Sequence, residues 1–305
     1  MQFVARSAVF VLAPWLIAWT SPPPSLGTAS PRSLVWAHQA TLAHRIVSTT
    51  PNFTEILFEI GGGDKVVAVS DYCLYPEGAR AKPRIGGPFN LSYERIVALQ
   101  ADLVVLPLSL ETAAGKLRTL GLPVLQLPNE TVADVVESIT RLGEVSGRIT
   151  QADRLAAQIQ AELAAVEQKT RDLPRPRTLI VVLRAAGGLQ DVTAASADTF
   201  LNELLVLAGG ENVITGTISR YPRISREEIV SLDPEVILDL TFSTEGEDTL
   251  GIWSQLPTLD AVRTGRVVAI PDPVATIPGP RMVETLRRFV EILHPEAELP
   301  LEVSR

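Results

Sequence analysis

The sequence predicts an α/β protein with two Rossmann-like lobes joined by one long rigid helix, and two observations carry this prediction. First, apolar strand-like runs alternate with helical patterns from residue 45 onward, which is typical of largely parallel sheets. Second, one stretch occurs twice: residues 92–99 lead into an apolar run that starts at Leu103, and residues 225–232 lead into one that starts at Val236. Two similar halves, each with its own core, leave a cleft between them, where we expect a ligand to bind.

The size and composition of the chain narrow the classes of function. Its 305 residues, 46% of them hydrophobic, are enough for two domains of ordinary size. A net charge of −8 argues against nucleic acid as a partner, because such a partner requires a basic surface. The chain has one cysteine and three histidines, so we expect no disulfide framework, no metal site built from these residues, and no cofactor.

The N-terminal segment is typical of a secretory signal. Arg6 precedes an apolar run over residues 8–19, and a proline-rich segment follows, so residues 1–37 are assigned to a signal peptide and leader. The apolar run is short for a membrane span, which needs about 20 residues. We therefore expect a periplasmic protein released by cleavage, with an uncut membrane anchor as the alternative.

The first lobe is assigned to residues 45–147. In open α/β sheets the loops at the carboxyl ends of strands carry ligands, so an aperiodic segment over residues 71–88 is a candidate binding loop. The pattern predicts strands at 46–49, 66–69, 103–106 and 124–127, and helices that begin at 50, near 113 and at 132.

The link between the lobes is assigned to residues 148–173. Residues 150–171 contain no glycine or proline, and their apolar side chains form one stripe, which predicts a single helix about 30 Å long. The alternative is an ordinary surface helix within one lobe. The stripe consists of Leu155, Ile159, Leu163 and Val166.

The second lobe is assigned to residues 177–296. It begins with a buried-strand pattern at 178–183 and has a helix at 199–207 that two glycines end. A late strand at 267–270 and a proline-rich loop then lead into a closing amphipathic helix over 281–293. The alternation of strands and helices again indicates an α/β lobe.

Two glutamates stand out in a chain that has no phosphate-binding loop, zinc-protease helix or nucleophile elbow, and for which no catalytic residue is assigned. Glu94 and Glu227 occupy the same position in the two copies of the repeat, two residues after Ser92 and Ser225. If each serine is an N-cap, each glutamate lies in a first helical turn, where it interacts favourably with the helix dipole and needs no other role. The alternative is that the two carboxylates are docking points for basic residues of a two-fold partner.

The order of these features resembles that of the helical-backbone, or class III, periplasmic binding proteins, which deliver cobalamin, ferric siderophores or haem to importers of the ATP-binding cassette type. The resemblance implies a protein that is not an enzyme, works as a monomer, and docks on a permease dimer. In that family one glutamate per lobe pairs with permease arginines, and the matching positions are Glu94 and Glu227. The matching stretches are residues 45–48, 54–57, 69–73, 75–76, 85–87, 94–99, 102–104, 208–212, 225–227 and 280–281.

The ligand that the resemblance implies is cobalamin or a similar small metal chelate, because the loop and the turn over residues 70–88 look most like those of the cobalamin binders. A haem or ferric-siderophore protein, with cleft tyrosines beside an arginine, is the alternative. An α/β enzyme with paired carboxylates is less favoured. Such a pair would have to lie within about 5–10 Å of each other, whereas the repeat predicts that Glu94 and Glu227 lie far apart on an outer face. The candidate ligand contacts are Tyr72, Tyr75, Phe89, Asn90, Arg220, Tyr221 and Asp272, with Phe242 and Trp253 as weaker candidates.

Overall fold

Two β-sheets, one for each half of the chain, organise the fold of this computed structural model, which describes residues 42–88, 90–216, 218–241 and 248–296. The predicted signal peptide and leader over residues 1–37 lie outside the described residues, as do Phe89 and Phe242. The described residues form one compact unit. Among the described residues, no helix is both long enough and apolar enough to cross a bilayer.

The first lobe is built on a four-stranded sheet in which every pair of neighbouring strands is parallel, as predicted. Its spatial order is β2-β1-β3-β4. One short helix, α2, lies inside the segment that was predicted to be loop alone. The strands are β1 (Ile46–Ser48), β2 (Val66–Val69), β3 (Leu103–Pro107) and β4 (Val124–Leu127), and the helices are α1 (Pro51–Glu59), α2 (Glu77–Arg80), α3 (Tyr93–Ala98), α4 (Glu111–Thr119) and α5 (Val132–Ser146).

One long helix, α6 (Ile149–Thr170), follows the first lobe at the position where the sequence predicts a linking helix. Its 22 residues span about 33 Å. The helix packs against α5 of the first lobe and also against two helices of the second lobe, so the alternative of a surface helix within one lobe is wrong. Its buried stripe belongs to one hydrophobic core that extends from Phe53 in α1 to Phe289 near the end of the chain.

The second lobe is built on a mixed sheet of order β10-β9-β5-β6-β8, with β7 beside β5. Its parallel strands were predicted, but β6 is antiparallel to both β5 and β8. With two or three residues each, β6 and β8 are too short to show a periodic pattern. The strands are β5 (Arg177–Leu183), β6 (Val192–Ala194), β7 (Glu211–Asn212), β8 (Arg223–Ile224), β9 (Val236–Asp239) and β10 (Val267–Ala269), and the helices are α7 (Phe200–Leu207), α8 (Arg226–Leu232), α9 (Thr249–Trp253), α10 (Asp260–Arg263) and α11 (Met282–Leu293).

The repeated stretch forms the same structural unit in both lobes, since α3 leads into β3 as α8 leads into β9. Gln100 and Asp233, which are equivalent in the repeat, both adopt a left-handed backbone, with φ of 50° and 41°. In each lobe an arginine, just before β1 in the first lobe and at the start of β5 in the second, donates side-chain hydrogen bonds to the carbonyls that end the helix. A carboxylate accepts the backbone N–H of the same arginine. The matched groups are Arg45 with Leu99, Gln100 and Asp102 in the first lobe, and Arg177 with Leu232, Asp233 and Glu235 in the second.

The two copies differ at their helix starts. The Oγ of Ser225 accepts a hydrogen bond from the backbone N–H of Glu228 at 3.1 Å, as expected for an N-cap. Ser92 makes no such bond, so the predicted cap is wrong for the first copy. Its ψ is 88° where that of Ser225 is 163°, and this rotation directs its hydroxyl away from the N–H groups of the first turn.

Candidate ligand-binding cleft

The two lobes meet where the carboxyl ends of the parallel strands lead into helices. Arg281, the N-cap of α11, forms two hydrogen bonds to Glu55 of α1, at 2.7 and 3.0 Å. Elsewhere along the junction, the backbone N–H of Phe200 donates to the carbonyl of Glu130, which follows β4, at 2.8 Å. These contacts join the lobes along the edge of an open α/β sheet at which ligands bind.

The strand order places the contacts between lobes at opposite ends of the cleft. The outer strands β2 and β10 lead to Tyr75 and Arg281, which contact each other. On the other side, Glu130 follows the outer strand β4 and interacts with Tyr221, which precedes the outer strand β8. Three inter-strand spacings of ~4.8 Å separate β2 from β4, so the sheet edge of the first lobe extends over about 14 Å.

Tyr72 lies on the binding loop over residues 71–88, which we call the cleft loop, and it is 64% exposed. Its ring rests on Gly87, where an added Cβ would lie 2.9 Å from Tyr72 Cε2. The neighbouring Gly86 has φ of 86°, and a Cβ there would lie 2.3 Å from the backbone oxygen of Asn90. The Oδ1 of Asn90 accepts the backbone N–H of Gly87 at 2.7 Å, so this predicted ligand contact holds the turn on which Tyr72 rests.

Tyr75, on the same loop, is 45% exposed and has Arg281 against its ring, with the guanidinium carbon 3.9 Å from the ring centroid. The carboxylate of Glu55 that binds Arg281 is 3% exposed, and the side chain of Arg281 is 23% exposed. Burial raises the pKa of Glu55 above its ordinary value, and the hydrogen bonds and charge of Arg281 oppose this effect. Sequence reasoning assigned no role to Glu55 or Arg281, although both lie in stretches that match the family, residues 54–57 and 280–281.

Tyr221 and Arg220 lie in the second lobe beside the loop that leads into α7. Tyr221 is 36% exposed, and burial raises its pKa to about 12, with the negative charge of Glu130 adding to the effect and Arg220 opposing it. The Nε of Arg220 donates to the carbonyl of Asp198 at 3.1 Å. The charge of Glu130, a residue of the first lobe, therefore acts on Tyr221 of the second lobe.

Two other candidates have structural roles. Trp253 is fully buried in the core of the second lobe, and its Nε1 donates to Asp239 Oδ2 at 3.0 Å, so its assignment as a ligand contact is wrong. The carboxylate of Asp272 accepts the backbone N–H of Val274 at 2.9 Å and caps a short 3₁₀ helix, Pro273–Thr276.

Apolar side chains and a buried ion pair lie at the carboxyl ends of interior strands of the two sheets. Leu108 follows β3, Leu183 ends β5, and both are exposed. Arg184 follows β5 and forms a fully buried ion pair of 2.7 Å with Asp239, at the end of β9. In the described part of the chain, no group of three or more histidine, cysteine, aspartate or glutamate side chains could hold a metal ion. The cleft therefore presents aromatic and apolar side chains, together with Arg220, which forms no ion pair within the described residues.

Glu94 and Glu227 are exposed in the first turns of α3 and α8. Within the described residues, neither carboxylate has a hydrogen bond or an ion pair. Val97 and Val230, each three residues later on the same helix, are exposed as well. Each lobe therefore presents a free carboxylate beside an apolar side chain on its outer surface.

Two α/β lobes with exposed aromatic side chains where they meet form the architecture of a ligand-binding protein. The family model for periplasmic binding proteins matches residues 46–274, and the chain belongs to that family.

Similar proteins include two named for cobalamin and one for haem. The cobalamin-binding protein of Halobacterium salinarum is 30% identical over 260 residues, which are 82% of this chain and 69% of that protein. The vitamin B12-binding protein of Vibrio parahaemolyticus is 27% identical over 251 residues, 81% of this chain and 87% of that protein. The solved structure of the periplasmic haem-binding protein of Roseiflexus sp. RS-1 has a TM-score of 0.72 and 27% identity, covering 84% of this chain and 100% of that chain.

Proposed function

We propose that this protein is the periplasmic substrate-binding protein of an importer of the ATP-binding cassette type, and that it captures cobalamin or a similar metal chelate between its lobes. The observation that carries the proposal is the aromatic cleft. Exposed tyrosines lie on both of its lobes, and Arg281, which lies against the ring of Tyr75, is paired with Glu55. Relatives named for vitamin B12 and cobalamin support the choice of ligand.

Charge favours cobalamin over ferric siderophores and haem. Cyanocobalamin is electrically neutral and presents a broad ring with neutral amide groups, so it needs apolar faces and hydrogen-bonding groups. Haem carries propionates, and many siderophores are anionic, so their binding gains from unpaired cations. In this cleft the charge of Arg281 is already paired with Glu55, which leaves Arg220 as the arginine among the candidate contacts that forms no ion pair within the described residues.

Haem is the second candidate, because one observation favours it. Tyrosine is a known ligand of haem iron, and Tyr75 is exposed in the cleft with Arg281 against its ring. The similarity to a solved haem-binding protein agrees with this candidate.

Calorimetric titration of the chain starting at His38 tests the proposal, with cyanocobalamin, haem and a ferric siderophore as separate ligands. We expect one cyanocobalamin per chain, with a stabilisation of about 2.7 kcal/mol at a hundredfold excess over Kd. Tyr75→Ala and Tyr221→Ala should weaken binding, whereas the control Tyr93→Ala, on α3, should not. A haem absorption band that is lost in Tyr75→Phe, without heat from cyanocobalamin, would establish the second candidate.

We further propose that Glu94 and Glu227 are the docking points for the permease dimer. Both carboxylates are exposed and unpaired within the described residues, at equivalent positions of the two lobes. Replacing both with alanine should abolish association with the importer and leave ligand affinity unchanged. The control is a double change of Glu137 and Glu167 to alanine, which removes the same charge from exposed positions elsewhere. Loss of ligand affinity in the first variant alone would place these glutamates in the binding site instead.

We also propose that residues 1–37 direct export, and that the exported protein is a monomer. One chain supplies both sides of the cleft, so no second copy is required. N-terminal sequencing of protein from the periplasm, together with sedimentation equilibrium, tests both points. An intact N-terminus in the membrane fraction would instead support the uncut anchor.

A further inference from the structure

Arg281 contacts three parts of the molecule that take part in forming the cleft. Its Nε and Nη2 donate to Glu55 Oε2 and Oε1, at 3.0 and 2.7 Å, and Glu55 belongs to α1 of the first lobe. The face of its guanidinium lies on the ring of Tyr75, in the cleft loop. Its own backbone is the N-cap of α11 in the second lobe. A single side chain therefore connects both lobes and an exposed ring of the cleft.

The backbone beside Arg281 also packs against the first lobe. Gly279 is buried, and a Cβ added to it would lie 3.6 Å from the Cα of Asn52 and 3.6 Å from Glu55 Oε2. The second lobe thus reaches α1 through main chain as well as through the arginine. Movement of one lobe relative to the other at this end of the cleft would have to break this contact.

The chemistry of the pair suits a positioning role better than a purely stabilising one. Removing two charges from water is costly, and apolar residues of similar volume are often at least as stable at such a site. The two parallel hydrogen bonds between Arg281 and Glu55 define a direction that an apolar contact does not. Arginine can make this forked contact and stack on an aromatic ring at the same time, whereas lysine cannot.

We propose that Arg281 is a positioning residue that sets the spacing of the lobes at this end of the cleft and fixes the ring of Tyr75. One face of the ring is held by the guanidinium, and the other is presented to a flat part of the ligand. The identity of that ligand rests on the proposed function, whereas the connection between the lobes does not.

The connection between the lobes is tested without ligand, by measuring the distance between spin labels at Leu120→Cys and Val206→Cys in a Cys73→Ala background. Both labelled positions are exposed, one in each lobe. Arg281→Lys should broaden the distance distribution. If that variant fails to fold, the double change Glu55→Leu with Arg281→Met replaces it, because it removes both charges and leaves neither buried without a partner. The double variant should broaden the distribution as well. The control Arg288→Lys, whose ion pair lies within α11, should not. An unchanged distribution in the double variant overturns the proposed link.

The effect on Tyr75 is tested by the affinity for cyanocobalamin in a double-mutant cycle. Arg281→Lys should weaken binding about tenfold in the natural background, the scale of a well-placed arginine–ring contact. In a Tyr75→Leu background the same change should cost about twofold or less, because the ring is no longer there to be positioned. Equal losses in both backgrounds would overturn the positioning of Tyr75. If cyanocobalamin does not bind the unmodified protein, the proposed function fails, and the spin-label distances still decide the role of Arg281 between the lobes.

Discussion

The adjacent glycines of the cleft loop should respond in opposite ways to the same substitution. Gly86→Ala is expected to destabilise the fold, because Gly86 has φ of 86° and an added Cβ would lie 2.3 Å from the backbone oxygen of Asn90. Gly87→Ala is expected to leave stability almost unchanged and to weaken ligand binding. Its Cβ would meet Tyr72 Cε2 at 2.9 Å and Asn90 Oδ1 at 3.0 Å, and the exposed tyrosine ring can move away.

The magnitudes follow from these contacts. A left-handed conformation costs alanine about 1–2 kcal/mol. The clash with Asn90 also has to open the turn, at about 0.5–1.5 kcal/mol for each hydrogen bond lost. We therefore expect Gly86→Ala to lower the free energy of unfolding by about 2–4 kcal/mol. For Gly87→Ala we expect a change within about 0.5 kcal/mol, with affinity reduced up to about tenfold as the ring of Tyr72 is displaced.

Urea unfolding monitored by circular dichroism measures the stability of both variants, and calorimetry with cyanocobalamin measures the affinity. The unfolding slope should stay constant, since the same surface is exposed in each case. If Gly87→Ala lost as much stability as Gly86→Ala, the two glycines would have the same structural role. If it bound cyanocobalamin as tightly as the unmodified protein, Tyr72 would not be part of the site.

Three further predictions concern buried or half-buried groups. Because the folded pKa of Tyr221 is about 12 against its ordinary 10.0, this phenol contributes stability that is present below pH 10 and is lost between pH 10 and 12. Tyr221→Phe should remove this loss, and Glu130→Gln should lower the midpoint of tyrosine ionisation followed at 295 nm. An unchanged midpoint would show that the charge of Glu130 does not act on Tyr221. Trp253→Phe should lower the free energy of unfolding by about 1–3 kcal/mol, because Asp239 loses a buried donor, and an unchanged urea midpoint would contradict this. Burial raises the pKa of the Cys73 thiol, so Ellman's reagent should find no reactive thiol in native protein and one in urea; rapid reaction without urea would refute its burial.

The fold was predictable where a pattern is long or repeated. The stripe that includes Ile159 and Leu163 showed the linking helix within one residue at each end. Because the two copies of the repeat are equivalent, the sequence predicted that β3 and β9 begin at matching positions, as they do. Periodicity gave no sign of β6 or β8, because pairing with neighbouring strands holds them and their own two or three residues carry no pattern.

The site was predictable only in part, because the type of a residue does not reveal whether its side chain points into the core or toward the cleft. Tyr72 and Trp253 are both aromatic residues near loops, yet one is exposed on the cleft loop and the other is fully buried against Asp239. Glu55 and Arg281 are 226 positions apart, and only the folded chain brings them together. The role of Asn90 was likewise hidden, since the turn that it closes depends on the backbone conformation of its neighbours.

The most direct test of the central claim is hydrogen–deuterium exchange of the protein with and without saturating cyanocobalamin. A ligand held between the lobes should slow exchange in peptides that cover Tyr72 and Tyr75, and equally in peptides that cover Arg220 and Tyr221 from the other lobe. Helix α4, on the outer surface of the first lobe, should exchange at the same rate in both states. Protection confined to one lobe, or found at α4 alone, would contradict capture in the cleft.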